Sequence, residues 1–233
     1  MNTALITGTS KGLGFELLKV FLENGWKVFA LARNADNIKD LLEQFSETCF
    51  PVIGDVTDDS VVDDILRLLQ SNTKKIDLLI NNAGNAVKCF GFDNVTPELL
   101  DEHFKVHVSG AFRIIKACMT FLQKSENPVI INISSRKGSI HKINSGAYRI
   151  LFPYQIAKAA QNMLTACLNQ EFKDSKIKTY AIHPGNLKTD VAPPDANTEP
   201  FKAAEKIYRW VISPNKTSTD FFYSVMDDSV LDW

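Results

Sequence analysis

Tyr154-Gln155-Ile156-Ala157-Lys158 sets a phenol and an ammonium four residues apart, on one face of any helix that carries them. A neighbouring cation favours phenolate, so the tyrosine pKa is expected to fall from about 10 toward the working pH. A phenol so placed can exchange a proton with a carbonyl or alcohol oxygen. Taken alone, the pair also reads as an ordinary tyrosine and lysine on a solvated helix. Three further groups share its sheet edge and favour chemistry: Ser135 at a strand end, the turn Asn81-Asn82-Ala83-Gly84, and a glycine turn near the start.

That glycine turn lies in Ala4-Leu5-Ile6-Thr7-Gly8-Thr9-Ser10-Lys11-Gly12-Leu13-Gly14. A short apolar run stops at Gly8, and Phe15, Leu18 and Leu22 then recur at helical spacing, giving strand, tight turn and helix. Such a corner can hold a pyrophosphate, because glycines let the backbone approach and the helix start presents free amides and a positive dipole end. Three residues and then one separate the glycines, unlike the Gly-x-Gly-x-x-Gly order of the common dinucleotide fingerprint. A purely structural corner would look the same.

The elements that must position these groups follow in alternation. Strands are expected over 26–32, 49–54, 76–80, 128–133, 177–182 and 221–225, after the first one. Helices are expected over 36–45, 153–172 and 199–211. Another should be capped by Asp58 and bury Val62, Ile65, Leu66 and Leu69, and a long helical stretch opens at Thr96-Pro97-Glu98. Polar connections cover 85–94 and 136–146, and Pro193-Pro194 marks a loop. The pattern predicts an α/β fold: a doubly wound, Rossmann-like parallel sheet of about seven strands, with helices on both faces and residues 1–233 forming one domain. Polar and glycine-rich sequence collects after the strands, where such sheets place their ligand crevice.

Composition narrows the function. The chain has 233 residues, 45% of them hydrophobic, with Lys+Arg 26 against Asp+Glu 27. A net charge of -1 without a basic block argues against nucleic acid or anionic membrane as partner. Cys49, Cys89, Cys118 and Cys167 are scattered and read as reduced thiols. No apolar run approaches the ~18 residues of a membrane span, and the first strand leaves no room for a signal peptide's apolar region. A cytoplasmic protein is expected.

In these motifs and their order the sequence resembles the short-chain dehydrogenase/reductase family over nearly its whole length. The matching residues are Thr7-Gly8-(x3)-Gly12-x-Gly14, Asp55-Val56, Asn81-Asn82-Ala83-Gly84, Ile133-Ser134-Ser135, Tyr154-(x3)-Lys158 and Pro184-Gly185-(x3)-Thr189. Ser135-Arg136-Lys137-Gly138-Ser139-Ile140, Gly146-Ala147-Tyr148 and the ending Leu231-Asp232-Trp233 are similar to the branch of sniffer-type carbonyl reductases and C-factor-like proteins. The resemblance implies catalytic roles for Ser135, Tyr154 and Lys158, with Ser135 holding a substrate carbonyl and Tyr154 giving a proton. It implies a dinucleotide held by Gly8, Thr9, Ser10, Lys11, Gly12, Leu13 and Gly14, by Arg33 and Asn34, and by Asp55 and Val56. Asn81, Ala83, Gly84, Tyr154, Lys158, Pro184, Gly185, Leu187 and Thr189 complete that set. The expected partner is a small carbonyl or alcohol substrate, and the expected assembly is a homodimer or homotetramer.

His107 stands where the family usually has an asparagine that supports a water chain to the lysine. Imidazole can donate and accept, so a modified relay and a packing histidine in a slow site are both open. His103 lies four residues earlier, but Phe104 replaces the glutamate of His-Glu-x-x-His and no third ligand is evident, so no metal is expected. Tyr148 is followed at the fourth residue by Phe152 rather than lysine, and Lys88 and Cys89 are read as loop residues. The cofactor is expected to be NADP(H): an NAD enzyme of this type carries an acid at the end of the second strand, where this chain has Ala32, Arg33 and Asn34, with Lys11 in the glycine turn. The resulting expectation is an NADP-dependent carbonyl reductase or alcohol dehydrogenase. The alternative is a dinucleotide-binding regulatory or interaction protein with little turnover.

Overall fold

A computed structural model describes residues 1–85, 91–146, 150–188, 196–213 and 221–233. Thr3–Thr7 (β1), Lys27–Ala32 (β2), Cys49–Ile53 (β3), Leu78–Asn81 (β4), Val129–Ile133 (β5), Lys178–His183 (β6), Phe222–Ser224 (β7) and Ser229–Val230 (β8) form one sheet. Its order is β3-β2-β1-β4-β5-β6-β7-β8, parallel throughout except for the last antiparallel pair. The doubly wound architecture is as expected. The sheet has eight strands instead of about seven, because the chain turns back after β7 and adds the two-residue β8.

Helices Gly12–Glu23 (α1), Lys39–Gln44 (α2), Val61–Asn72 (α3), Pro97–Phe104 (α4), Ala111–Leu122 (α5), Ile140–Asn144 (α6), Phe152–Glu171 (α7) and Pro200–Ile212 (α8) connect the strands. Side chains alternate across a strand, so one β1 residue feeds each core in turn. Ala4 and Ile6 pack with Leu17, Phe21 and Ile207 from α1 and α8. Leu5 packs on the other face with Ile65, Leu69, Ile114 and Leu122 from α3 and α5. Every residue of β1 and β5 is buried, as suits strands covered on both faces. Each large apolar side chain so buried contributes roughly 1.5–3 kcal/mol, which makes the central strands the rigid platform for the loops at their ends.

Several boundaries differ from the sequence reading for local reasons. Asp58 does not cap α3; its carboxylate accepts the amide of Ser60 at 2.9 Å, and the helix begins at Val61. Val61, Ile65 and Leu69 are the buried stripe, with Val62 and Leu66 half-buried. The stretch 136–146 is not all loop: a 3-10 turn at Arg136–Gly138 leads into α6, whose cap is Ser139. The long helical stretch does open at Thr96, whose hydroxyl accepts the Leu99 amide, but a π-helical segment, Lys105–Gly110, interrupts it between α4 and α5. Cys49, Cys118 and Cys167 are free thiols, as expected, while Cys89 lies outside the described residues. Among the described residues no helix is long and apolar enough to cross a membrane.

The direction of winding reverses between the parallel strands β1 and β4. From β1 the chain winds outward to β3, then returns to pair β4 on the other side of β1. Crossovers leave the two strands in opposite directions, which opens a crevice at their C-terminal ends. The corner beside it is tight: a methyl group on Gly14 would lie 2.1 Å from the Gly8 carbonyl oxygen and 2.4 Å from Asn82 Nδ2. Replacing Gly14 by Ala should therefore cost stability in the range of about 1–3 kcal/mol, read from urea unfolding midpoints. A Gly14→Ala protein as stable as wild type would show that this corner can yield.

Candidate active site

At the end of β1, Thr7 and Asn82 lock two loops into one unit. Thr7 Oγ1 accepts the amides of Asn82 at 3.0 Å and Ala83 at 2.9 Å. Asn82 Nδ2 donates to the carbonyls of Thr7 at 2.9 Å and Gly8 at 3.2 Å. The amides of Gly8 and Thr9 and the Thr9 hydroxyl all donate to Leu31 O, tying the same turn to β2. Thr9, fully buried, thus serves the turn itself. Ser10 and Lys11 lead into α1, whose N-terminus has no side-chain cap and no acidic residue in its first turn. The donors of Gly12, Leu13 and Gly14 are left to face an anion, which fits a pyrophosphate.

Neighbouring strand ends supply the flanks of this cradle. Arg33 and Asn34 are exposed just after β2, and Lys11 is exposed in the turn. After β3, Asp55 Oδ1 accepts the amide and hydroxyl of Thr57 at 2.9 and 2.8 Å, and the carbonyl of Val56 takes the Arg113 guanidinium at 2.7 Å. Asn81 behaves differently from Asn82: it is buried and donates across the sheet to Asn132 Oδ1 at 2.9 Å, and Asn132 in turn donates to Thr165 of α7 at 3.0 Å. Pro184 and Gly185 follow β6, and Leu187 forms a bridge with Thr198. Thr189, Tyr148, Lys88, Cys89 and the Pro193-Pro194 loop lie outside the described residues.

The catalytic candidates meet where β5 and α7 adjoin. Ser135 follows β5 and is buried; Tyr154, half-buried in the first turn of α7, has its phenol beside that hydroxyl. Lys158 is 5% exposed, one turn further on, and its Nζ lies 5.8 Å from the Tyr154 ring centroid. That ammonium donates to Ile133 O at 2.6 Å and to Gln161 Oε1 at 2.9 Å. Burial pulls its pKa down to about 7. Burial also pushes the Tyr154 phenol above its ordinary value, and the Ser135 hydroxyl acts the other way. The expectation that Lys158 would lower the tyrosine pKa is therefore reversed in this structure: loss of water outweighs a cation whose bonds are spent on Ile133 and Gln161.

His107 is brought to the same place. Its ring lies edge-on to Tyr154 with centroids 5.8 Å apart, and it is 1% exposed. Nε2 stands 3.0 Å from the carbonyl oxygen of Asn85, which can only accept, so that nitrogen carries the hydrogen. Nδ1 is then a bare acceptor with no partner among the described residues. Burial first, then the Lys158 charge, hold the imidazole well below the usual histidine range, so it is neutral at pH 7. Gly84 makes room for it: a methyl group there would sit 2.7 Å from His107 Cε1. His103 sits on the same helical face with ring centroids 6.1 Å away, donating Nδ1–H to Leu99 O at 2.9 Å. Among the described residues no third metal-ligating side chain joins them.

Sequence reasoning found Ser135, Tyr154, Lys158 and His107, and the structure brings all four together. It undervalued Asn82 and missed Gln161. The Gln161 signal was present, since a side chain three residues after Lys158 shares its helical face. The whole constellation stands at the C-terminal strand ends beside the crevice. A proton donor with a hydroxyl partner, a buried amine and an uncapped helix start suit the nicotinamide end and the pyrophosphate of a dinucleotide.

Comparison with known proteins agrees with this geometry. The family model for short chain dehydrogenases matches residues 2–200. An oxidoreductase of Botryotinia fuckeliana, BOA17, is 31% identical over 188 residues, which span 80% of this chain and 66% of that protein. The NADPH-bound carbonyl reductase from chicken fatty liver superposes with a TM-score of 0.89 at 25% identity, covering 100% of this chain and 99% of that one. Carbonyl reductase Sniffer of D. melanogaster gives 0.87 at 25% identity, with full coverage of both chains. With its fold, its motifs and the family model in agreement, the chain belongs to the short-chain dehydrogenase family, oxidoreductases that move hydride with a nicotinamide dinucleotide.

Proposed function

We propose that the protein is an NADP(H)-dependent carbonyl reductase in which Tyr154 gives a proton to the substrate oxygen. The observation that carries this reading is the Tyr154 phenol, set beside the Ser135 hydroxyl and one helical turn from the buried Lys158. When bound, the reduced dinucleotide supplies the hydride. The residues of this chain do the rest. A phenol whose pKa burial has raised keeps its proton at neutral pH, ready for transfer as negative charge builds on the carbonyl oxygen. Ser135 orients that oxygen, and Lys158 is held in place beside Tyr154 by Ile133 and Gln161. His107 is a neutral neighbour of both groups, and its Nδ1 can accept a hydrogen bond. The carbonyl reductases among its structural relatives, one of them bound to NADPH, support the substrate class.

Preference for NADP(H) rests on Arg33 and Lys11, both exposed in the loops that follow β2 and β1. Arginine binds phosphate through its fork and lysine as a point charge. A charge-assisted bond of about 1.5–3 kcal/mol corresponds to roughly one to two orders of magnitude in affinity. Fluorescence titration should show NADPH binding tighter than NADH by that margin, with Arg33→Ala removing most of it. Equal affinities, or an NADH preference indifferent to Arg33, would contradict the assignment.

Tyr154→Phe should fold and bind NADPH like wild type yet lose about 10²–10⁴-fold in kcat, since the ring's packing is kept and only the transferable proton is gone. Near-normal turnover in that variant would remove Tyr154 from the mechanism. For His107, the expected outcome is that His107→Asn preserves or raises kcat and that a chelator has no effect. A folded but dead Asn variant, or activity lost to chelator and regained with a divalent ion, would show that the histidine has another role.

A further inference from the structure

Ser135 does not sit on a strand; it sits on the first bend after one, and something must hold that bend. From one side α7 does so. The Ser135 hydroxyl accepts the Lys137 amide at 3.2 Å, the Ser135 carbonyl accepts the Gly138 amide at 2.9 Å, and Asn162 Nδ2 reaches Gly138 O at 3.4 Å. From the other side the contact is Arg136. Its guanidinium forms an ion pair with Asp227 and donates to Ser224 Oγ at 3.2 Å, while Ser224 Oγ donates to Asp227 Oδ2 at 2.5 Å. Ser224 is fully buried on β7, and Asp227 lies in the turn between β7 and β8.

The same turn touches a second element of the cleft. Met226 covers Gly185, where a methyl group would come within 2.7 Å of Met226 Cγ. Val225 N donates to His183 O at 3.2 Å, tying the turn to the end of β6. The β8 end is anchored in turn, since Leu231 N donates to Phe222 O at 2.8 Å and Trp233 stacks on Phe222 with centroids 5.3 Å apart. The C-terminal hairpin is thus bonded to the Ser135 bend and to the Pro184-Gly185 loop at once.

We propose that Arg136 is a positioning residue: by gripping Asp227 and Ser224 it lets the C-terminal hairpin fix the bend that carries the Ser135 hydroxyl. The proposal rests on the reading of Ser135 as the group that orients the substrate carbonyl. Stability alone does not account for the ion pair. With side chains 34% and 49% exposed, it is of the kind that contributes little to folding. What it supplies is placement, and a small misplacement of a catalytic group can lower turnover by up to about 10²-fold.

Arg136→Ala, Asp227→Asn and the double variant should all fold and bind NADPH with wild-type affinity. Each single variant should lose about tenfold or more in kcat with a smaller change in KM, and the double variant should be no worse than either single one. The swapped pair Arg136→Asp with Asp227→Arg should recover part of the loss. Amide exchange supplies a readout that needs no substrate: in Asp227→Asn the amides of Lys137 and Gly138 should exchange faster while β5 keeps its protection. If wild-type protein reduces no carbonyl but the exchange responds in this way, the functional reading falls and the positioning role stands. Unchanged kcat in active single variants, additive losses in the double variant, or unaltered exchange at Lys137 and Gly138 would overturn the proposal.

Discussion

A buried ammonium shapes this site. Lys158 is almost wholly removed from water between β5 and α7, and such a charge persists only where it is hydrogen-bonded. Two acceptors meet that need, the last carbonyl of β5 and the side chain of Gln161. The surrounding groups adjust to the same scarcity of water. Tyr154 keeps its proton and His107 stays neutral. His183, at the end of β6, is pulled down to about 3 by burial and by Arg136, so it too is uncharged at pH 7. Burial thus moves each of these groups toward its uncharged form.

The sheet makes this arrangement affordable. β1, β4, β5 and β6 end side by side, and each end delivers one part: the glycine turn, the Asn82 unit, Ser135 and Pro184-Gly185. Side-chain bonds then couple the ends to one another. Thr7 and Asn82 join the first two, and the chain of Asn81, Asn132 and Thr165 links the β4 and β5 ends to the helix that carries Tyr154 and Lys158. The C-terminal hairpin closes the remaining side through Arg136 and Met226.

Much of this was legible in the sequence, and the parts that were not share a cause. Alternating apolar runs, glycine spacing and Tyr-x-x-x-Lys are local signals, and each led to the correct element and the correct end of the sheet. Asp58 misled because an aspartate that bonds a nearby amide in a turn looks, in sequence, like a helix cap. The π-helical segment that carries His107 has no sequence mark of its own. Arg136 and Ser224 are 88 residues apart, and nothing in either neighbourhood announces the other. The direction of the tyrosine shift was misread because spacing places the lysine nearby but is silent on burial, and burial dominates.

In the proposed reaction this cleft moves hydride to a carbonyl carbon and a proton to its oxygen. The most direct measurement uses NADPH deuterated at the transferable position of the nicotinamide, with a panel of ketones and aldehydes, and mass analysis of the products. The expected product is an alcohol carrying one non-exchangeable deuterium at the former carbonyl carbon. NADPH that binds tightly while no carbonyl in the panel acquires deuterium would contradict it, and would favour a dinucleotide-binding protein with a regulatory or interaction role.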